Sequence, residues 1–159
     1  MTPQGSVPMT LFINDYSEGC HERILEALTR TNREQTTGYG TDPHCAEARE
    51  ILRREMDCPT AEIRFLSGGT QTNLIAMTAA LRPHEAVIGA ATCHIFTHET
   101  GAIEATGHKV LVIPDEEGKV RPAGILAVLE EHRMAPHMVK PRVVYISQST
   151  EVGTVYTRE

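Results

Sequence analysis

The segment Ser67-Gly68-Gly69-Thr70-Gln71-Thr72-Asn73 has the make-up of an anion cradle. Paired glycines between an apolar run and a helical stretch leave backbone N–H groups free at a helix N-terminus. Those donors and the helix dipole favour a phosphate. The segment matches neither the dinucleotide-binding glycine pattern nor the P-loop with its lysine, so an ordinary capped turn is the competing reading. The second segment with chemical capacity is Cys93-His94-Ile95-Phe96-Thr97-His98-Glu99. A histidine at a strand's end stacks on a planar cofactor or moves protons near neutral pH, although a half-buried structural imidazole is the commoner case. His94 and His98 stand four apart, which suits zinc only when both lie on one helix; His94 is expected to precede the helix and no third ligand is evident, so no metal is expected. Cys93 and His94 are sequence neighbours and make a poor nucleophile–base pair. Glu99 is expected early in a helix, where a carboxylate is favoured electrostatically and capping explains it. The third segment, Ser147 to Gly153, carries Glu151, an acid, a base or a loop solvator.

These segments need elements to hold them. From Glu18 the pattern is helical, with Ile24, Leu25 and Leu28 on one face and Asp15 or Glu18 as possible caps. Thr36 to Thr41 breaks regular structure, and Asp42-Pro43 starts a second helix reaching about Met56. Alternation follows. Strands are expected over Ile63 to Leu66, Ala86 to Ala91, Lys109 to Ile113 and Arg142 to Ile146, and helices over Thr70 to Leu81, Phe96 to Ala105 and Pro122 to Arg133. The strands are short and almost continuously apolar, as when both faces are covered. The order implies an α/β fold with a mostly parallel sheet, flanking helices and right-handed crossovers. In such sheets ligands sit beyond the carboxyl ends of the strands, where all three segments fall. Residues 1–17 read as a tail and a short extended segment, and residues 18–159 as one domain that is incomplete.

Composition excludes several classes of function. The 159 residues carry a net charge of −6, which disfavours nonspecific contact with nucleic acid or anionic membranes. Aromatics are only 4%, too few for a base-stacking platform. No apolar run is long enough to span a bilayer, and Met1 to Met9 lacks the layout of a secretion signal. Four widely spaced cysteines then read as free thiols in a cytoplasmic protein.

Taken in order, the pieces resemble the N-terminal part of the threonine aldolases in the β-eliminating lyase group, which have the type I pyridoxal phosphate fold. The matching segments are Asn14 to Gly19, Gly38 to Asp42, Phe65 to Asn73, His94 to Ala102, Gly107 to Lys109 and Tyr145 to Thr154. The resemblance implies the large cofactor-binding domain of such an enzyme, in part. It implies pyridoxal 5'-phosphate as cofactor, with Gly68, Gly69 and Thr70 at its phosphate and His94 stacked on its ring as a catalytic group. It places Asn14, Tyr39 and Glu151 near the substrate, a small β-hydroxy amino acid. Asn14 stands where relatives often have serine, and Glu151 where many have histidine, so the substrate of this Ser-Thr-Glu-x-Gly-Thr form is open.

The implied activity is retro-aldol cleavage of threonine to glycine and acetaldehyde by a homo-oligomer. The lysine that anchors the cofactor and the aspartate at its ring nitrogen belong, by the same resemblance, to segments beyond Glu159. Lys109, Lys119 and Lys140 occupy none of those positions, so the chain alone is expected to be inactive and poorly soluble. Two rivals stay open: a non-catalytic module that binds a phosphorylated ligand or a partner, and a β-eliminating lyase for another amino acid.

Overall fold

The computed structural model describes residues 10–134 and 136–158, so the tail expected over 1–9 lies outside the described residues. The chain divides into two compact units, one ending at Arg64 and the other beginning at Phe65.

The first unit contains two helices. Helix α1 spans Glu22–Thr31, and its cap is His21, whose ring Nδ1 accepts from the Arg23 N–H at 3.2 Å. Neither Asp15 nor Glu18 caps it. Ile24, Leu25 and Leu28 all remain exposed. Helix α2 spans Pro43–Glu55 with Pro43 at its first turn. As the sequence predicts, Asp42 is its cap, accepting from the Cys45 N–H at 2.8 Å. The Cys45 side chain, with the Cys45 N–H adding to it, holds the Asp42 carboxyl below its usual range. Ahead of α2, Tyr39 and Gly40 both adopt left-handed backbone, at φ 60° and 73°. The Gly40 carbonyl accepts from the Arg49 guanidinium.

The strand expected over 63–66 does not form. Side chains, not a neighbouring strand, take the Ile63 carbonyl and that of Ala61 just before the segment. Arg53 donates to Ala61 O at 3.1 Å and Arg49 to Ile63 O at 3.4 Å.

The second unit holds the core. It runs α3 (Gly69–Ala80), β1 (Glu85–Ala90), α4 (His94–Thr97), a 3-10 turn (Glu104–Thr106), β2 (Lys109–Ile113), α5 (Pro122–Glu131) and β3 (Lys140–Val144). The three strands form one parallel sheet in the order β2-β1-β3, with Val87 opposite Val110 and Val143. This is the α/β, parallel-sheet architecture expected, with three strands in the sheet. All six residues of β1 are buried, so the central strand carries apolar side chains on both faces. Ile88, Ile95, Ile103 and Val87 are the largest fully buried side chains. Two polar groups bind the entry to β1: Glu85 accepts from the Arg82 N–H at 2.9 Å and faces Arg142 at 3.3 Å. The Arg82 N–H, with Arg142 adding to it, keeps the Glu85 carboxyl below its ordinary range.

The single helix expected over 96–105 is two pieces. Thr100 and Gly101 take left-handed φ values of 50° and 76° and break it, and Gly107 at 87° ends the second piece. His94 is therefore the first residue of α4 instead of lying before the helix.

Candidate functional site

The end of β1 delivers His94. After Ala90 the chain turns, with the Cys93 N–H donating to Ala90 O at 2.9 Å, and α4 begins. The turn is anchored by Asp115, which follows β2. Its Oδ2 accepts from the Thr92 N–H at 3.3 Å and hydroxyl at 3.2 Å, while Oδ1 accepts from the Gly118 N–H at 2.8 Å. Cys93 is buried, and burial pushes its thiol pKa up, the opposite of what a nucleophile requires. Its sulfur occupies the space a side chain on Gly89 would need, 2.6 Å from an ideal Cβ there.

The loop after β3 delivers Glu151. Thr150 and Thr154 close it through a backbone bond of 2.9 Å and a hydroxyl–hydroxyl bond of 2.8 Å. The Thr154 hydroxyl also donates to Glu117 O at 2.6 Å, which fastens the loop to the turn after β2. Gly118 in that turn has φ 76°, and a Cβ on it would lie 2.9 Å from both Thr150 Oγ1 and Val152 Cγ2. The two loops thus grip each other at the carboxyl ends of the strands.

This grip brings Glu151 onto His94. Glu151 Oε1 lies 3.2 Å from His94 Nδ1, and Oε2 lies 3.8 Å from His98 Nε2. A carboxylate can only accept, so Nδ1 carries the hydrogen and donates it. Nε2 is then the nitrogen of the neutral ring that takes up or hands over a proton. The His94 side chain is 41% exposed, so the ring is open to a ligand.

Glu99 is not an exposed cap. It follows α4, and its side chain is fully buried. Oε1 accepts from the Asn73 amide at 2.7 Å and lies 4.0 Å from His94 Nε2. Among the described residues Oε2 has no hydrogen-bond partner. Tyr145 stands nearby; burial raises its pKa, and the polar side chains of Ser147 and Asn73 beside it act against that. The sequence offers Glu99 as a helix cap and gives Asn73 and Tyr145 no role of their own. The one available signal was Asn73, a full turn into the helix that the glycines open.

Helix α3 offers the anion cradle. Gln71 reaches back, its side-chain oxygen accepting from the Ser67 N–H at 3.0 Å and hydroxyl at 2.8 Å. The first helical bond beyond the glycines is Thr72 N–H to Gly68 O at 3.1 Å. Among the described residues the N–H groups of Gly69, Thr70 and Gln71 donate to no protein acceptor, as a helix N-terminus dictates. No heavy atom lies within 4 Å of where a Cβ would stand on Gly68 or Gly69. That open backbone fits a phosphate, and the exposed His94 ring fits a planar heterocycle.

Asn14 and Tyr39 belong to the first unit. Asn14 Oδ1 closes a local turn, accepting from Tyr16 N–H at 3.0 Å and the Ser17 hydroxyl at 2.7 Å. Tyr39 is fully exposed. No group of three or more potential ligands for a metal ion is present among the described residues. No described helix is long and apolar enough to cross a membrane.

Comparison with known proteins gives a consistent result. The chain is 37% identical over 149 residues to the low specificity L-threonine aldolase of Pseudomonas aeruginosa, covering 91% of this chain and 42% of the relative. It is 36% identical, with the same coverage, to the enzyme of that name from a Pseudomonas species. A solved structure of threonine aldolase from Leishmania major superposes with a TM-score of 0.88 at 55% identity, over 91% of this chain and 42% of that one. The chain thus spans well under half the length of these relatives. Residues 15–159 match the family described as Beta-eliminating lyase, and the chain belongs to that family.

Proposed function

We propose that this chain forms the phosphate-holding and ring-facing part of a pyridoxal phosphate-dependent carbon–carbon lyase. Its substrate class is small β-hydroxy amino acids, and the model reaction is cleavage of threonine to glycine and acetaldehyde. The family is one of pyridoxal phosphate-dependent lyases, and the two Pseudomonas relatives carry the threonine aldolase name. The observation that carries the reading is the His94–Glu151 pair at the carboxyl end of the sheet, with one ring nitrogen held and the other free.

When bound, the cofactor supplies an electron sink for the bonds at the amino acid's Cα. The chain's own residues do the rest. The N–H groups of Gly69 and Thr70 hold the phosphate, with Gly68 leaving room for it. The exposed His94 ring would face the cofactor ring and shield that side from water. Its Nε2 takes the β-hydroxyl proton as the carbon–carbon bond breaks, and Glu151 keeps the ring in the tautomer that allows it. Glu151, Asn14 and Tyr39 are assigned to substrate contact. The homo-oligomeric state and a cytoplasmic setting complete the reading.

His94→Ala in the intact protein tests it. Loss of a proton-transfer group predicts a fall in kcat/KM of roughly 100-fold or more. Because His94 is part-exposed, the melting temperature should move little. Unchanged kinetics would remove His94 from the reaction.

A further inference from the structure

Glu99 is the one carboxylate of the second unit whose side chain is wholly withdrawn from solvent and which leaves an oxygen without a partner among the described residues. Burying a carboxylate is costly, and a well-packed apolar side chain in its place is commonly neutral or better for stability. Glu99 does not cap a helix and does not sit in the sheet core. What it does is join two parts of the site. Its Oε1 accepts from Asn73, one turn inside the helix whose first N–H groups are free, and the same oxygen faces Nε2 of His94. The connection spans 26 positions of sequence and links the phosphate cradle to the ring-facing histidine.

From this geometry we infer that Glu99 is a positioning residue: with Asn73 it sets the orientation of the His94 imidazole relative to the first turn of α3. Glu151 holds the ring from Nδ1 by a hydrogen bond, and the Glu99 carboxylate stands 4.0 Å from Nε2, beyond hydrogen-bond reach, where it attracts the ring once Nε2 takes up a proton. Glu99 acts through His94 and Asn73. The inference rests on the function proposed above for its consequence in catalysis, but not for its structural content.

The experiment uses the intact protein with histidine labelled by nitrogen-15, and compares wild type with Glu99→Gln and Asn73→Ala. Glu99→Gln keeps the shape and removes the charge. Asn73→Ala removes the same bond from its other end and guards against failure of the first variant to fold. Both should move the His94 ring-nitrogen signals without added cofactor. With cofactor, kcat should fall about tenfold or more while KM changes less than about threefold, the split expected of a misplaced proton-transfer group. The induced circular dichroism of bound pyridoxal phosphate should drop as well, since it reports how the ring is held. Variants that lower the melting temperature but leave the His94 signals and the dichroism per bound cofactor unchanged would overturn the inference. If wild type makes no aldehyde while the His94 signals still move, the proposed function fails and the positioning role stands.

Discussion

At the scale of single residues, the chemistry turns on which nitrogen of His94 is held. The sequence marks His94 and Glu151 separately, one by its place after a strand and the other by its place in a loop. Only the fold shows that they meet, across 57 positions of sequence. Their bond gives Glu151 a definite task, that of fixing the imidazole tautomer. Glu151→Gln keeps an acceptor for Nδ1–H but removes the charge that favours a protonated ring. In the intact protein it should lower kcat/KM on the order of tenfold or more. Stability should change by less than about 1 kcal/mol, as for other solvent-exposed ion pairs. Steady-state kinetics and a denaturant titration check the two halves; a large loss of stability with normal kinetics would make Glu151 a structural residue. Glu99 escaped sequence reading for a physical reason. A helix through 96–105 would have put it near an N-terminus, facing water, but α4 ends at Thr97, the left-handed pair Thr100 and Gly101 keeps the helix from resuming there, and Glu99 between them is buried.

At the scale of elements, apolar periodicity predicts β1, β2, α3 and α5 to within a residue or two, because their burial is decided locally by one or two packed faces. The segment 63–66 has the composition of a strand, yet it forms none, and Arg49 takes the Ile63 carbonyl while Arg53 takes that of Ala61 before it. Propensity does not reveal such side-chain competition. The elements that make the site are connections: the turn after β2 and the loop after β3. They are invisible to periodicity and are joined by Thr154 and the close approach at Gly118. Gly118→Ala therefore tests the joint. A side chain there is forced into left-handed backbone and against Thr150 and Val152, a combination expected to cost about 1–3 kcal/mol. Urea unfolding measures the loss, and the same variant should weaken turnover by displacing Glu151. A variant as stable as wild type would mean that the two loops do not depend on each other.

At the scale of the whole molecule, the parallel order β2-β1-β3 places the His94 and Glu151 segments at one end of the sheet, while Lys109 and Lys140 open β2 and β3 at the other. The chain covers 42% of the length of the Pseudomonas aeruginosa relative, and in the function proposed above it supplies the phosphate cradle, the ring-facing histidine and its carboxylate. Reaction type belongs to the intact protein, and it separates carbon–carbon cleavage from β-elimination. The most direct measurement is product analysis of the intact protein with pyridoxal phosphate and L-threonine, and in parallel with L-serine and L-cysteine. Glycine and acetaldehyde are expected in equal amounts from threonine, with no ammonia and pyruvate from serine or cysteine. Ammonia and pyruvate from serine or cysteine, without acetaldehyde from threonine, would contradict it and make the protein an eliminating lyase.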